Sequence, residues 1–79
     1  MDNLEKVLQA EVNTKVELNN HRHIRKVEFF YTISEKWYSW RAYTDNRSFY
    51  PSASSENIKT FKTLAGAKRN FIKGYLEND

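Results

Sequence analysis

Apolar and polar positions along this chain fall into stretches with different periods. Leu4, Val7, Leu8 and Val12 form one stripe at helical spacing. Asp2 can cap the first turn, and Glu5 stands three residues later, as in a capping box. The stripe can run on to Val16. Equally, Val12, Thr14, Val16 and Leu18 alternate as a short strand does, and the residues alone leave both readings open. We assign residues 1–18 to an N-terminal helix, followed by a polar break from Asn19 to His23.

From about Arg25 to Ile33 the period changes to two. Val27, Phe29, Tyr31 and Ile33 alternate with Lys26, Glu28, Phe30 and Thr32, which predicts a strand. Ser34-Glu35-Lys36 turns the chain into a second strand, Trp37 to about Tyr43. Thr44-Asp45-Asn46-Arg47 is a turn sequence leading to a third, shorter strand at about 48–50. Pro51 puts that strand at an edge. After a polar loop, Thr63 can cap a helix over 63–77, in which Leu64, Ala67, Phe71, Ile72 and Tyr75 share a face. Gly66 and Gly74 weaken it, each by about 1 kcal/mol relative to Ala. The pattern predicts one α+β domain over residues 1–79: an N-terminal helix, a three-stranded antiparallel sheet over 25–50, and a C-terminal helix packed on one sheet face.

Strand parity sorts the side chains further. If the connecting loops are of even length, Val27, Phe29, Tyr31 and Ile33 share with Tyr38, Trp40, Ala42 and Phe49 the face that takes the C-terminal helix, whereas odd lengths would scramble this grouping. The opposite face then holds Glu28, Phe30, Thr32, Trp37, Ser39, Arg41, Tyr43 and Tyr50. Aromatics around a central arginine can stack bases, pair with phosphates or anchor a protein partner. The stripe of the N-terminal helix must also be buried somewhere, and this second face is available to it.

Composition narrows the function classes. In 79 residues without cysteine, neither disulfides nor thiolate-bound zinc can staple the fold. A core of this size supplies about 3–5 kcal/mol, and the aromatics are its main material. No apolar run approaches the roughly 20 residues of a membrane span. The acidic, amphipathic start at Met1-Asp2-Asn3-Leu4-Glu5 is unlike a signal peptide, so the chain reads as cytoplasmic. The net charge of +3 is uneven: −2 over residues 1–20, +7 over 21–76 and −2 over 77–79. Positive charge on the body of the fold favours an anionic partner.

The segment from Trp37-Tyr38-Ser39-Trp40-Arg41 through Phe61-Lys62-Thr63-Leu64-Ala65-Gly66-Ala67 resembles two kinds of small module over about residues 25–76. One is the AP2-like, arm-type DNA-binding domain of phage integrases, a three-stranded sheet backed by one helix. The other is the YegP-like ββα repeat of bacteria. The first resemblance implies a sheet face laid in a DNA major groove, with Trp37, Ser39, Arg41 and Tyr43 at the contacts, and an origin in a phage or mobile element. The second implies the fold and little about activity. The chain departs from the integrase pattern in lacking a glycine-marked hairpin before Trp37 and a downstream catalytic domain.

The individual constellations add less. His21-Arg22-His23 places two histidines two residues apart, and a metal site there would want a third ligand such as Glu17 or Glu28; a two-ligand pattern is too unspecific, and no metal site is assigned. His21, Arg22, His23, Arg25 and Lys26 form a basic run that suits either a phosphate-contacting arm or a solvated loop. Lys59, Lys62, Lys68, Arg69 and Lys73 decorate the last helix and the approach to it. Arg41 can read a guanine edge or pair with Glu28 across the strands. No reactive thiol, glycine-rich phosphate loop or acid–base pair is apparent, and neither a catalytic residue nor a cofactor is assigned.

The expected function is a small, non-enzymatic, nucleic-acid-binding accessory module. Duplex DNA is its foremost partner, and Arg22, Arg25, Lys26, Trp37, Arg41, Tyr43 and Arg47 are its contacts. The alternative is a protein-binding regulator or inhibitor of a host enzyme, or an assembly subunit, using Phe30, Trp37, Tyr43 and Tyr50. A homodimer through the same face is the third reading.

Overall fold

The computed structural model describes residues 2–53 and 57–77. Helix α1 (Asn3–Gln9) begins where the Asp2 side chain accepts the Glu5 N–H at 2.8 Å. A helix this short does not persist alone in water. Val7 is fully buried, and the Asn3 side chain bonds the Asn19 backbone in both directions, at 2.7 and 2.8 Å. The rest of the apolar stripe stays wet, with Leu4, Leu8 and Val12 all exposed.

The helix does not extend to residue 18. Asn13 turns the chain at a φ of 65°, a left-handed conformation that asparagine tolerates, and its N–H bonds the Phe29 carbonyl at 2.6 Å. Strand β1 (Thr14–Glu17) follows, so the sheet has four strands rather than three. The strand reading prevails because β1 pairs with the backbone of β2 (Lys26–Thr32) while Val16 and Leu18 pack into the core.

The sheet is an antiparallel meander in the order β1-β2-β3-β4, with β3 at Trp37–Tyr43 and β4 at Ser48–Phe49. Lys36 closes the β2–β3 hairpin with φ at 58°, where glycine would sit more easily. Both hairpin loops have four residues, so parity holds. Val27 faces Ala42, Phe29 faces Trp40, Tyr31 faces Tyr38, and Ala42 faces Phe49.

That face carries the core. Helix α2 (Leu64–Phe71) starts where Thr63 Oγ1 accepts the Gly66 N–H at 3.0 Å, and it brings Ala67 and Phe71 onto the sheet. The buried Trp40 ring meets Phe71 at 5.1 Å, Tyr75 at 5.0 Å and Phe49 at 5.8 Å between centroids. Such ring pairs contribute about 0.5–1.5 kcal/mol each beyond the area they bury. The Trp40 indole N–H is satisfied by Asn70 Oδ1 at 2.9 Å.

Beyond Phe71 the helix widens into a π-turn, Ile72–Leu76, closed by the Glu77 N–H on the Ile72 carbonyl at 2.9 Å. There the Tyr75 ring lies against Trp40 and Phe49, and its carbonyl meets His21 Nε2 at 3.1 Å. His21 is therefore no part of a solvated loop. It is buried, and its Nδ1 accepts the N–H groups of Ile24 and His23 at 2.9 and 3.2 Å.

Both helices thus lie on one side of the sheet. After β4 the chain folds back, with a bridge between Ser52 and Ile58, and then runs beside β3, where Phe61 and Tyr38 exchange two hydrogen bonds of 2.8 Å. Among the described residues, no helix is long and apolar enough to cross a membrane.

Candidate nucleic-acid interface

A strand exposes alternate residues, so the same parity that builds the core aims a second set of side chains away from the helices. These are Lys15 and Glu17 of β1, Lys26, Glu28, Phe30 and Thr32 of β2, Trp37, Ser39, Arg41 and Tyr43 of β3, and Ser48 of β4, continued by Tyr50. Among the described residues, α1 makes no use of this face, because Val7 lies in the core cluster with Phe71 and Ile72. The segment after β4 covers one end: Ser39 is fully buried, with its hydroxyl on the Lys59 carbonyl at 2.8 Å. Tyr50 packs edge-on against Phe30 at 6.0 Å and remains 38% exposed.

The open part is organised around Tyr43. Lys15 Nζ lies 5.0 Å from its ring centroid, Lys26 Nζ 5.8 Å and the Arg41 guanidinium carbon 5.1 Å. Arg41 also lies 5.4 Å from the Tyr50 ring, which makes it a cation between two aromatic rings. At such distances each cation–π contact is worth about 0.5–1 kcal/mol near solvent.

Glu28 stands opposite Arg41 in register, yet its carboxylate accepts from the Tyr43 hydroxyl at 3.1 Å. Arg41 instead donates through Nε and Nη2 to Ser48 Oγ, at 3.1 and 2.9 Å. Burial first, and then the Glu28 hydrogen bond and charge, push the Tyr43 phenol above its ordinary range, with Arg41 opposing. Tyr43 is therefore a neutral, fixed platform at physiological pH. Trp37, half-buried at the far end, has Lys62 Nζ 6.0 Å from its ring.

Arg22, Arg25 and Arg47 lie elsewhere. They line a cleft of about 280 Å³ at the end of the sheet, together with His23, Thr44, Asp45 and Asn46. The cleft begins one residue beyond the Lys26–Tyr43 pair, so it continues the cationic track of the face. Arg25 is largely occupied: Nε and Nη2 reach the two Asp45 oxygens at 2.8 and 3.3 Å, and Nη1 reaches the His21 carbonyl at 2.7 Å. The Arg25 guanidinium holds the Asp45 carboxyl below its usual range, and Asp45 in turn raises Arg25. Arg25 thus fixes the cleft, while Arg22 and Arg47 edge it.

The site residues inferred from the sequence therefore divide between two adjoining places: Lys26, Trp37, Arg41 and Tyr43 on the face, and Arg22, Arg25 and Arg47 in the cleft. Lys15 was missed, because a helix over 1–18 hides its strand parity. The alternation of Val16 and Leu18 is the signal that points to it. Among the described residues, no group of three or more His, Asp or Glu is placed to hold a metal ion. No family model, no curated protein and no solved structure matches this chain.

Proposed function

We propose that this chain is a small, non-enzymatic nucleic-acid-binding module that lays its open sheet face and the adjoining arginine cleft against a polyanionic backbone. The reading rests on one observation above all. Lys15, Lys26 and Arg41 converge on Tyr43, and Tyr50 flanks Arg41, on a face that neither helix covers. Cations supply affinity for phosphates, and rings beside them supply stacking surface for bases.

Neutralising phosphates releases counterions, which sets a magnitude. If Lys15, Lys26, Arg41, Arg22 and Arg47 each meet one phosphate of a duplex, the log–log salt slope is about −4.5. Raising salt from about 50 to about 200 mM then weakens binding about 500-fold. Fluorescence anisotropy with a labelled duplex oligonucleotide reads both numbers. Arg41→Ala is expected to reduce the slope by about 1. Absence of duplex binding at low salt, or binding indifferent to salt, overturns the proposal. Salt-insensitive capture of a protein, lost in Trp37→Ala and Tyr50→Ala, would instead mark the face as a protein interface.

A further inference from the structure

On the side of the molecule opposite the open sheet face, α1 and the C-terminal helix enclose a groove of about 600 Å³. Its apolar lining comes from Leu8, Leu64, Ala65 and Ile72, and its charged lining from Lys68, Arg69 and Lys73 together with one carboxylate, Glu77. We propose that this groove docks an acidic amphipathic helix of a partner protein, leucines down and carboxylates against Lys68 and Arg69.

Three observations carry the proposal. Leu64, Lys68 and Ile72 lie four residues apart, as do Ala65, Arg69 and Lys73. Two such rows with a furrow between them form the surface into which a second helix packs its own ridges. The furrow runs about 12–14 Å along the axis, the length of two to three helical turns. Next, Leu8 is 55% exposed although it belongs to the apolar stripe of α1, so the fold itself leaves that wall of the groove uncovered.

The last observation is charge. The Lys68 ammonium is tied to the Leu8 carbonyl at 2.7 Å and, among the described residues, has no carboxylate partner. Burial lowers its pKa, the mark of a cation short of compensation. A carboxylate arriving from a docked helix supplies that compensation, with Arg69 beside it able to engage a second one. Helix-in-groove recognition needs such a combination of apolar anchors and flanking charge.

The test uses the full chain and a fluorescein-labelled helical peptide of about 16 residues, with leucines at i, i+4 and i+7 and glutamates on both flanks. Anisotropy is expected to show saturable binding, with amide shifts confined to Leu8 and the stretch 64–77. Leu8→Glu, a change at an exposed position, is expected to weaken binding at least about tenfold, the loss of one Leu-sized contact. Arg69→Glu is expected to weaken it as well, with circular dichroism confirming that both variants remain folded.

A peptide carrying lysine in place of glutamate is expected not to bind. Equal affinity for the two peptides, no binding of the acidic one, or indifference to Leu8→Glu overturns the proposal. So does displacement of the peptide by a duplex oligonucleotide, which would assign the groove to phosphates. Because the groove and the sheet face lie on opposite sides, loss of oligonucleotide binding in Arg41→Ala with peptide binding intact keeps the two conclusions separable.

Discussion

Replacing His21 by alanine takes away a side chain that performs two tasks at once. Nδ1 accepts the Ile24 and His23 N–H groups at 2.9 and 3.2 Å, and Nε2 lies 3.1 Å from the Tyr75 carbonyl. An acceptor at Nδ1 and a donor at Nε2 require the neutral ring with its proton on Nε2. One ring thereby joins the loop before β2 to the π-turn of the last helix. Ile24 is only 2% exposed, so its N–H finds no ready substitute in water, which costs about 1–3 kcal/mol. The space left by a buried ring adds roughly another 1 kcal/mol. A loss of about 2–4 kcal/mol removes most of the 3–5 kcal/mol typical of a domain this small.

His21→Asn separates the two tasks. Its side-chain oxygen can stand where Nδ1 stands and keep the turn, but its amide is too short to reach Tyr75. About 1 kcal/mol is then lost, a melting decrease of roughly 4–8 °C. Urea unfolding followed by tryptophan fluorescence measures both variants. An alanine variant within about 0.5 kcal/mol of the parent, the range of an ordinary surface change, would refute the reasoning. Equal damage from asparagine and alanine would show that the turn bonds contribute nothing.

The two glycines of the last helix are expected to respond oppositely to alanine. A Cβ at Gly74 meets nothing within 4 Å, so Gly74→Ala stabilises by about 0.4–1 kcal/mol, whereas at Gly66 it would lie 3.2 Å from Thr63 Oγ1 and crowd the helix cap. Denaturation midpoints decide this, and equal shifts would contradict it. The Asp45 carboxyl is depressed by Arg25, so its contribution is complete above the ordinary carboxylate range near about pH 4 and is lost as pH falls through its lowered value. Thermal melts from neutral to acid pH should fall less steeply for Asp45→Asn than for the parent, and parallel curves would rule the linkage out.

Where period and turn chemistry agree, the residues specified the fold closely. Alternation in 27–33 and 37–43 separated the core face from the Arg41 face on condition that the turns were even, and the structure's four-residue turns meet that condition and set Phe29 opposite Trp40. The first eighteen residues resisted, because Val12 and Val16 satisfy either period. The deciding event is the left-handed turn at Asn13, whose partner, the Phe29 carbonyl, lies far along the chain. The π-turn left only Gly74 as a trace, since its register depends on where Trp40 and Phe49 accept the Tyr75 ring.

At the candidate site, the residue types were legible and their partners were not. Arg25 looked like a phosphate contact, but the hairpin brings Asp45 to it. Arg41 faced Glu28 as parity required, yet Ser48 and two tyrosine rings hold it. Pairings of this kind are set by tertiary geometry, which a periodic pattern cannot encode.

The two tryptophans offer the most direct test of the central claim, for they sit on opposite faces of the same strand. Trp37 is half-buried on the open face below Lys62, and Trp40 is fully buried with its indole N–H on Asn70. A ¹⁵N titration with a duplex oligonucleotide at low salt resolves their two indole signals. The account predicts that the Trp37 signal moves with added duplex and returns when salt is raised, while that of Trp40 stays in place. A moving Trp40 beside an unmoved Trp37, or two signals indifferent to nucleic acid, would contradict it.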